Sequence, residues 1–141
     1  MTSIGEALRT TLIASTAING AVSGRVHQNR VPPLQSGSTD IPRIWYQRRA
    51  AEYIGTTFDT TGNTSGEPMR TSFDVEVHDT DIDVALDTGL LVMNYLNGHS
   101  STSMTAVFAR DHDDDYEPKG TGDEEGIHVA ALDIEIIHDS T

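Results

Sequence analysis

The chain has 141 residues, a length at which one hydrophobic core is the rule, so a single domain over residues 1–141 is expected. Nine basic residues face 22 acidic ones, and the formal net charge of −13 disfavours binding to nucleic acid backbones and anionic membranes, which requires clustered Lys and Arg. The absence of cysteine excludes disulfides and thiolate chemistry.

The acidity has two explanations that composition does not separate. One is adaptation to a salty environment, and the other is a surface along which DNA passes without binding. No apolar run approaches the roughly 18 residues that a membrane-spanning helix needs, and the first residues lack the charged lead and apolar core of a signal peptide. We therefore expect a soluble protein that is intracellular when it is made.

The first predicted element is a helix over residues 4–14. Apolar residues recur there at helical spacing, at Ile4, Ala7, Leu8 and Leu12, and Ser3 with Glu6 forms a capping-box pattern. Two dipeptides, Asn19-Gly20 and Ser23-Gly24, then predict turns. Residues 25–31 are short and extended in character, and they are stopped by two prolines, which indicates a strand that leads into a loop.

A second strand is predicted over residues 41–49, where the large side chains of Ile44, Trp45 and Tyr46 favour a pleated surface. Residues 50–70 are rich in Thr and Gly and predict a long loop. Tyr53, Ile54 and Phe58 could prolong the second strand into this loop as a projecting arm.

The central region predicts a strand followed directly by the clearest helix of the chain. Phe73, Val75 and Val77 alternate with polar residues, which is the period of a strand with one buried face. Thr80 and Asp83 then resemble a capping box. An apolar stripe follows at helical spacing and ends before Gly98; it consists of Ile82, Leu86, Leu90, Met93 and Leu96.

Two further strands complete the predicted fold. Residues 104–110 and 127–138 have strand character and are expected to pair through the long polar loop 111–126. The fold class is therefore predicted to be α+β, with an antiparallel or mixed sheet of about four to five strands packed against two main α-helices. No internal repeat is visible.

The polar motifs favour structural roles over chemistry. The acidic run 111–117 could suit calcium, but it has Tyr116 and Gly122 where an EF-hand loop needs glycine and glutamate. The alternating acids Asp79, Asp81 and Asp83 open a helix, where they are expected to cap it. No histidine spacing predicts zinc, and we interpret the strand histidines as members of a sheet face. No nucleophile or phosphate loop is recognisable, so we predict no catalytic residue, cofactor or resident metal.

Arginine and aromatic residues around position 45 predict a protein interface, in which both residue types are enriched. The alternative, a basic–aromatic patch for nucleic acid, is weak against the overall acidity. We expect contacts with other subunits or partners from this segment and from the two long loops. The candidate residues are Arg43, Trp45, Arg48, Arg49, Tyr53, Phe58, Asp113, Asp115, Tyr116 and Glu117.

Four segments span nearly the whole chain in a defined order. They are Gly24-Arg25-Val26 with the proline loop after it, the Ile-Pro-x-Ile-x-Tyr-Gln pattern at 41–47, the strand 73–77 that runs into a long helix, and Asp114-Asp115-Tyr116-Glu117-Pro118 followed by an alternating strand that ends at His138. In this order they resemble the tail-terminator, or tail-completion, family of long-tailed bacteriophages and related phage-like particles.

The resemblance implies a structural protein of the virion and no enzymatic activity. Family members form a ring, expected to be a hexamer, at the head-proximal end of the tail, where they stop polymerisation of the tail tube and join it to the head. The implied partners are copies of the chain itself, the tail-tube protein and a head-completion or adaptor protein, with DNA passing through the lumen without specific binding and no membrane involved. Assembly would occur in the host cytoplasm.

Three other functions compete with this one. Another head–tail connector of the same particle, an adaptor or a stopper, shares the size and the ring-forming habit. A calcium-dependent binding module would use residues 111–117. An enzyme that uses the histidines and carboxylates is the least supported, because no spacing matches a known mechanism.

Overall fold

The computed structural model of the chain describes residues 3–29, 40–54, 68–111, 114–117 and 126–139. These residues form three helices and six strands, so the predicted α+β class and the mixed sheet are confirmed. In chain order the elements are α1 (Ile4–Ala14), α2 (Thr16–Val22), β1 (Val26–Gln28), β2 (Arg43–Tyr53), β3 (Pro68–Asp79), α3 (Ile82–Leu96), β4 (Ala106–Asp111), β5 (Asp115–Glu117) and β6 (Ile127–Asp139).

The sheet has the strand order β1-β2-β3-β6-β4, and β5 pairs with the other end of β6. The β1–β2 pair is parallel and the other pairs are antiparallel. The six strands are one more than the upper predicted number, because β5 lies inside the stretch predicted as a polar loop. Both ends of the predicted 50–70 loop are paired strand, since Tyr53 lies opposite Met69, and residues 55–67 lie outside the described ranges.

Alternation along the strands divides the sheet into a covered face and an open face. On the covered face the helices bury an apolar core whose sheet members include Tyr46, Phe73, Val75, Leu132 and Ile134. The open face carries the intervening residues, and none of the three described helices covers it. The period-2 pattern of residues 73–77 predicted this division correctly.

The first helix begins where the sequence indicated, because the Ser3 hydroxyl accepts a hydrogen bond from the Glu6 amide. Leu8 and Leu12, one turn apart, are fully buried. The phenol of Tyr46 fastens this helix to β2 by donating to the Gly5 carbonyl over 2.7 Å. Burial raises the pKa of Tyr46 to about 12, and the nearby charge of Arg9 opposes part of this rise.

The second helix was not predicted, and the turn assigned to Asn19-Gly20 is wrong because both residues lie inside α2. Ser15 begins this helix by accepting a hydrogen bond from the amide of Ile18. Ile18 and Val22 are buried, so burial of one face stabilises a helix too short to form from propensity alone.

The third helix lies where the sequence predicted it, but its N-cap residue and most of its buried face differ from the prediction. Its N-cap is Asp81, whose carboxylate accepts from the Asp83 amide over 2.9 Å, and not Thr80. At its end, Gly98 donates to the Val107 carbonyl and Asn97 accepts from the Ala109 amide. These bonds occupy the outer edge of β4, which would otherwise be open to another strand. None of the helices in the described ranges is long and apolar enough to cross a membrane.

Candidate functional site

The histidines on the strands have structural partners. His78 accepts from the Arg43 guanidinium at Nδ1 over 3.3 Å, and its Nε2 donates to Glu76 over 2.8 Å. His138 shares a 2.7 Å hydrogen bond with the Thr71 hydroxyl. Both rings are nearly inaccessible to solvent, which confirms their interpretation as members of the sheet faces.

The acidic motifs around α3 are explained by the start of the helix. Asp79 accepts from the Asp81 amide, and Asp81 accepts in turn from Asp83, so the three acids form consecutive turns that lead into the helix. This confirms the capping interpretation. In the described part of the chain no group of three or more His, Asp or Glu residues could hold a metal ion, while residues 112–113 of the second acidic run lie outside it.

The arginines of the predicted interface segment have different environments. Arg43 is 2% exposed and pairs with Asp40 over 3.3 Å as well as with His78. Trp45 is half-buried, and its indole donates to the Asn29 carbonyl over 2.9 Å. Arg48 is exposed on β2. The segment thus combines one buried structural arginine with one that faces solvent.

Arg49 is the centre of an ion-pair ladder on the open face of the sheet. The strand register shifts between Arg48 and Ala50, which leaves Arg49 without a residue opposite it. Its guanidinium bridges Asp74 at 2.7 Å and Asp133 at 2.5 Å. The hydrogen bond that Arg49 donates to Asp133, with the charges of both carboxylates, raises the pKa of Arg49 further above its already high value.

The ladder continues across β6 to the edge of the sheet. Arg110 on β4 pairs with Asp133 at 3.3 Å and lies 3.9 Å from Glu135. Opposite charges therefore alternate over the open face, so its acidic residues are partly neutralised within the subunit. A surface of this kind is well hydrated and needs no covering layer.

The remaining predicted interface residues are exposed or lie outside the described residues. Tyr53 is 58% exposed at the end of β2. On β5, Asp115, Tyr116 and Glu117 are all exposed, and the Tyr116 ring packs against His128 with centroids 4.7 Å apart. Phe58 and Asp113 lie outside the described residues.

The third helix carries a surface that the sequence interpretation missed. Of nine large hydrophobic residues exposed in the described part of the chain, five lie on α3. Three of the five residues of the predicted stripe, Ile82, Leu86 and Leu90, are 49%, 38% and 51% exposed, so the prediction is wrong for them. It is correct for Leu96, which is buried, and Met93 packs partly buried against the core. The buried residues of the helix are Ala85, Thr88, Gly89, Val92 and Leu96.

Close approach of α3 to the sheet explains why small residues of this helix are buried while several of its large hydrophobic residues are exposed. A Cβ atom built on Gly89 would lie 2.9 Å from the Cβ of Ala130 on β6, closer than real Cβ atoms approach each other. Only small side chains fit between helix and strand at this point. The four-residue spacing of Ala85 and Gly89 was the available signal, although small residues contribute little to an apolar pattern.

The other side of α3 faces α1. A groove of about 410 Å³ separates the two helices, lined on one side by Ala7 and Thr11 and on the other by Tyr95 near the end of α3. Its walls are mostly small side chains and hydroxyls, and the rings of His99 and Tyr95 pack against each other with centroids 5.4 Å apart.

Comparison with models of protein families and with curated proteins finds no match. Among solved structures, the chain is similar to a chain in the structure titled "Virion of native gene transfer agent (GTA) particle". The TM-score is 0.58 with 14% sequence identity, and the similarity covers 94% of this chain and 92% of the other. The two proteins share a fold over nearly their whole lengths.

Proposed function

We propose that the protein is a structural component of a phage-like particle, and specifically a tail terminator that forms a ring on the tail tube. The observation that carries the proposal is the fold similarity to a virion chain, which covers 94% of this chain and 92% of the other. Similarity over both full lengths indicates a common whole subunit and not a shared small motif. The order of sequence segments supports the finer role of tail terminator by resemblance.

The site supports an assembly role in two further ways. Every strand histidine with a buried ring is engaged in a structural hydrogen bond, and the described residues present no catalytic constellation. In contrast, α3 exposes five large hydrophobic residues on a 15-residue helix. Apolar clusters of this kind on a small protein mark contact surfaces for other proteins.

A ring accounts for the extreme charge as well as the apolar surface. A subunit with a net charge of −13 gives a ring of six a very acidic wall, and such a wall repels the DNA backbone. DNA would then pass through the lumen without binding. The ring would lie at the head-proximal end of the tail, with the tube protein on one side and a head-completion protein on the other.

Tube length provides the test. The tail-tube protein of the same particle is allowed to polymerise alone or with increasing amounts of this protein, and tube lengths are measured by negative-stain electron microscopy. A terminator added in excess over tube ends should shorten the tubes and appear as a ring on one end, with a hexamer mass in native mass spectrometry. An unrelated acidic protein of similar charge serves as the control.

The same experiment separates the proposal from its neighbour in the particle. Unchanged tube lengths, with the protein monomeric in the presence of tubes, would overturn the terminator role. Binding to the head portal complex and not to tube ends would instead identify an adaptor or stopper, the alternative that shares this size and assembly habit.

A further inference from the structure

Three of the five exposed apolar residues of α3 form a strip along one side of the helix. Ile82, Leu86 and Leu90 are spaced four residues apart, so their side chains lie one above the other. We call these three residues the outer strip. It lies on the side of α3 opposite Tyr95, and Tyr95 lines the groove with α1. The outer strip therefore faces away from α1.

Acidic residues border the outer strip. Asp83 and Asp87 are exposed, and each lies three residues before a leucine of the outer strip, so Asp83 neighbours Leu86 and Asp87 neighbours Leu90 on the helix surface. Neither makes an ion pair with any residue that the structure describes. The outer strip and its two carboxylates together form an apolar surface with an uncompensated negative border.

Two arginines of the described ranges are free to supply the matching positive charge. Seven arginines lie in the described ranges, and all but Arg9 and Arg48 use their guanidinium groups in hydrogen bonds or ion pairs there; the five engaged arginines are Arg25, Arg43, Arg49, Arg70 and Arg110. Both Arg9 and Arg48 are exposed. They are thus available to pair with carboxylates of another molecule.

Arg9 and Arg48 lie on the same side of the molecule. Tyr46 joins β2 to α1 by its hydrogen bond to Gly5, Arg9 follows Gly5 by one helical turn, and Arg48 follows Tyr46 by two residues on the same face of the strand. Around α1, Arg9 lies away from Ala7 and Thr11, which line the groove toward α3. The two arginines therefore lie on the far side of α1 from α3.

We propose that the outer strip of one subunit, with Asp83 and Asp87, contacts the Arg9 and Arg48 side of a second copy of this chain. Copies that each carry a net charge of −13 repel one another unless local charges are opposite where they meet. The two surfaces lie on different sides of the subunit, so the contact is head-to-tail. Each added subunit leaves one of each surface free, and rotation between subunits closes a ring. This interface deepens the proposed ring function and rests on it.

Two variants test this contact, and each disrupts one of its two surfaces. Leu86→Glu with Leu90→Glu disrupts the outer strip, and Arg9→Glu with Arg48→Glu reverses the charge on the opposite side. Each variant alone should raise the concentration for half-assembly of the ring about tenfold or more, measured by native mass spectrometry and analytical ultracentrifugation with tube protein present. Phe108→Ser, which changes a residue 55% exposed on the open face, is the matched control and should assemble normally.

Mixing the two variants gives the decisive result. A head-to-tail contact predicts that the mixture forms a heterodimer through its one intact pair of surfaces but no ring, whereas neither variant alone forms a dimer. A dimer of the Arg9→Glu/Arg48→Glu variant alone would mean that two outer strips pair with each other, which overturns the proposal. Circular dichroism and thermal denaturation verify that each variant is folded.

The outcomes separate this interface from the function on which it rests. If wild-type protein forms rings and the outer-strip variant forms them equally well, the interface is wrong and the ring function survives. If that variant forms rings but no longer binds tube ends, the outer strip contacts the tube and the interface is again wrong. If wild-type protein forms no ring even with tubes present, both proposals are overturned.

Discussion

The helices α1 and α3 lie on the same face of one sheet but use their apolar residues in opposite ways. The first buries its leucines, with Leu8 and Leu12 both fully inaccessible. The third buries Ala85 and Gly89 and leaves Leu86 and Leu90 exposed. A helix that approaches a sheet closely packs through its small residues, and its large residues are then free for contacts with other molecules. Four predictions test this comparison.

The largest expected difference concerns two leucines. Leu12→Ala should lower the free energy of unfolding by about 2–5 kcal/mol, because Leu12 is fully buried and the change leaves a cavity. Leu90→Ala should cost less than about 1 kcal/mol in the monomer, because Leu90 is 51% exposed. Urea denaturation at concentrations below ring assembly measures both. Equal losses would show that the outer strip is buried within the subunit.

The attachment of α1 to β2 through Tyr46 should weaken at high pH. The pKa of Tyr46 is raised from 10.0 to about 12 in the folded protein, so the unfolded chain loses this proton first as the pH rises. The protonated phenol therefore makes its full contribution to the free energy of unfolding below pH 10. This contribution, roughly 2–3 kcal/mol in total, is lost between about pH 10 and 12.

Tyr46→Phe isolates this effect from other titrations. The variant should be less stable by about 1 kcal/mol near neutral pH, since the bond to Gly5 is absent. Its stability should decline less steeply than that of the wild type above pH 10, as measured by urea denaturation at several pH values. Parallel curves for the two proteins would contradict the assignment of the slope to Tyr46.

The close approach of α3 to β6 predicts a clash that can be relieved. Gly89→Ala places a methyl group 2.9 Å from that of Ala130 and should lower stability by about 1–2 kcal/mol, although alanine favours a helix over glycine. Adding Ala130→Gly should recover most of the loss in a double-mutant cycle. If Gly89→Ala stabilises the protein, α3 packs less closely than the structure indicates.

The smallest expected effect concerns the N-caps of α1 and α3. Loss of either cap should lower stability by a similar amount. Ser3→Ala and Asp81→Ala each remove a capping acceptor and should cost about 1 kcal/mol in thermal denaturation. Asp87→Ala, an exposed change within α3, is the control and should alter the stability of the monomer by less than about 0.5 kcal/mol when all variants are measured at concentrations below ring assembly. A much larger loss for one cap would show that its helix depends on the cap more than on packing.

Much of the fold follows from local sequence because its causes are local. The bounds of α1, the position of α3, the alternating strand at 73–77 and the pairing of β4 with β6 were predicted correctly from capping residues and hydrophobic period, although the N-cap of α3 is Asp81 and not Thr80. The second helix was missed because seven residues are too few to show a period, and Asn19-Gly20 resembles a turn wherever it occurs. Its stability comes from burial of Ile18 and Val22 against the core.

The candidate site was predicted in part. The segment around Trp45 does contain an exposed arginine, Arg48, but Arg43 is buried beside His78 and Arg49 is engaged by Asp133, 84 residues away in sequence. Periodicity distinguishes one side of a helix from another but does not measure how close that helix lies to a sheet. The outer strip of α3 therefore could not be assigned to solvent from sequence.

The amino-acid sequence by itself determined the acidity of the protein, its α+β class and where its main helices begin, since charge, period and capping are properties of neighbouring residues. Only the tertiary structure decided which side of α3 is buried and which arginines remain unpaired. Both depend on contacts between distant segments: Gly89 meets Ala130 on another element, and Asp74 with Asp133 occupies Arg49 while Arg9 and Arg48 stay exposed.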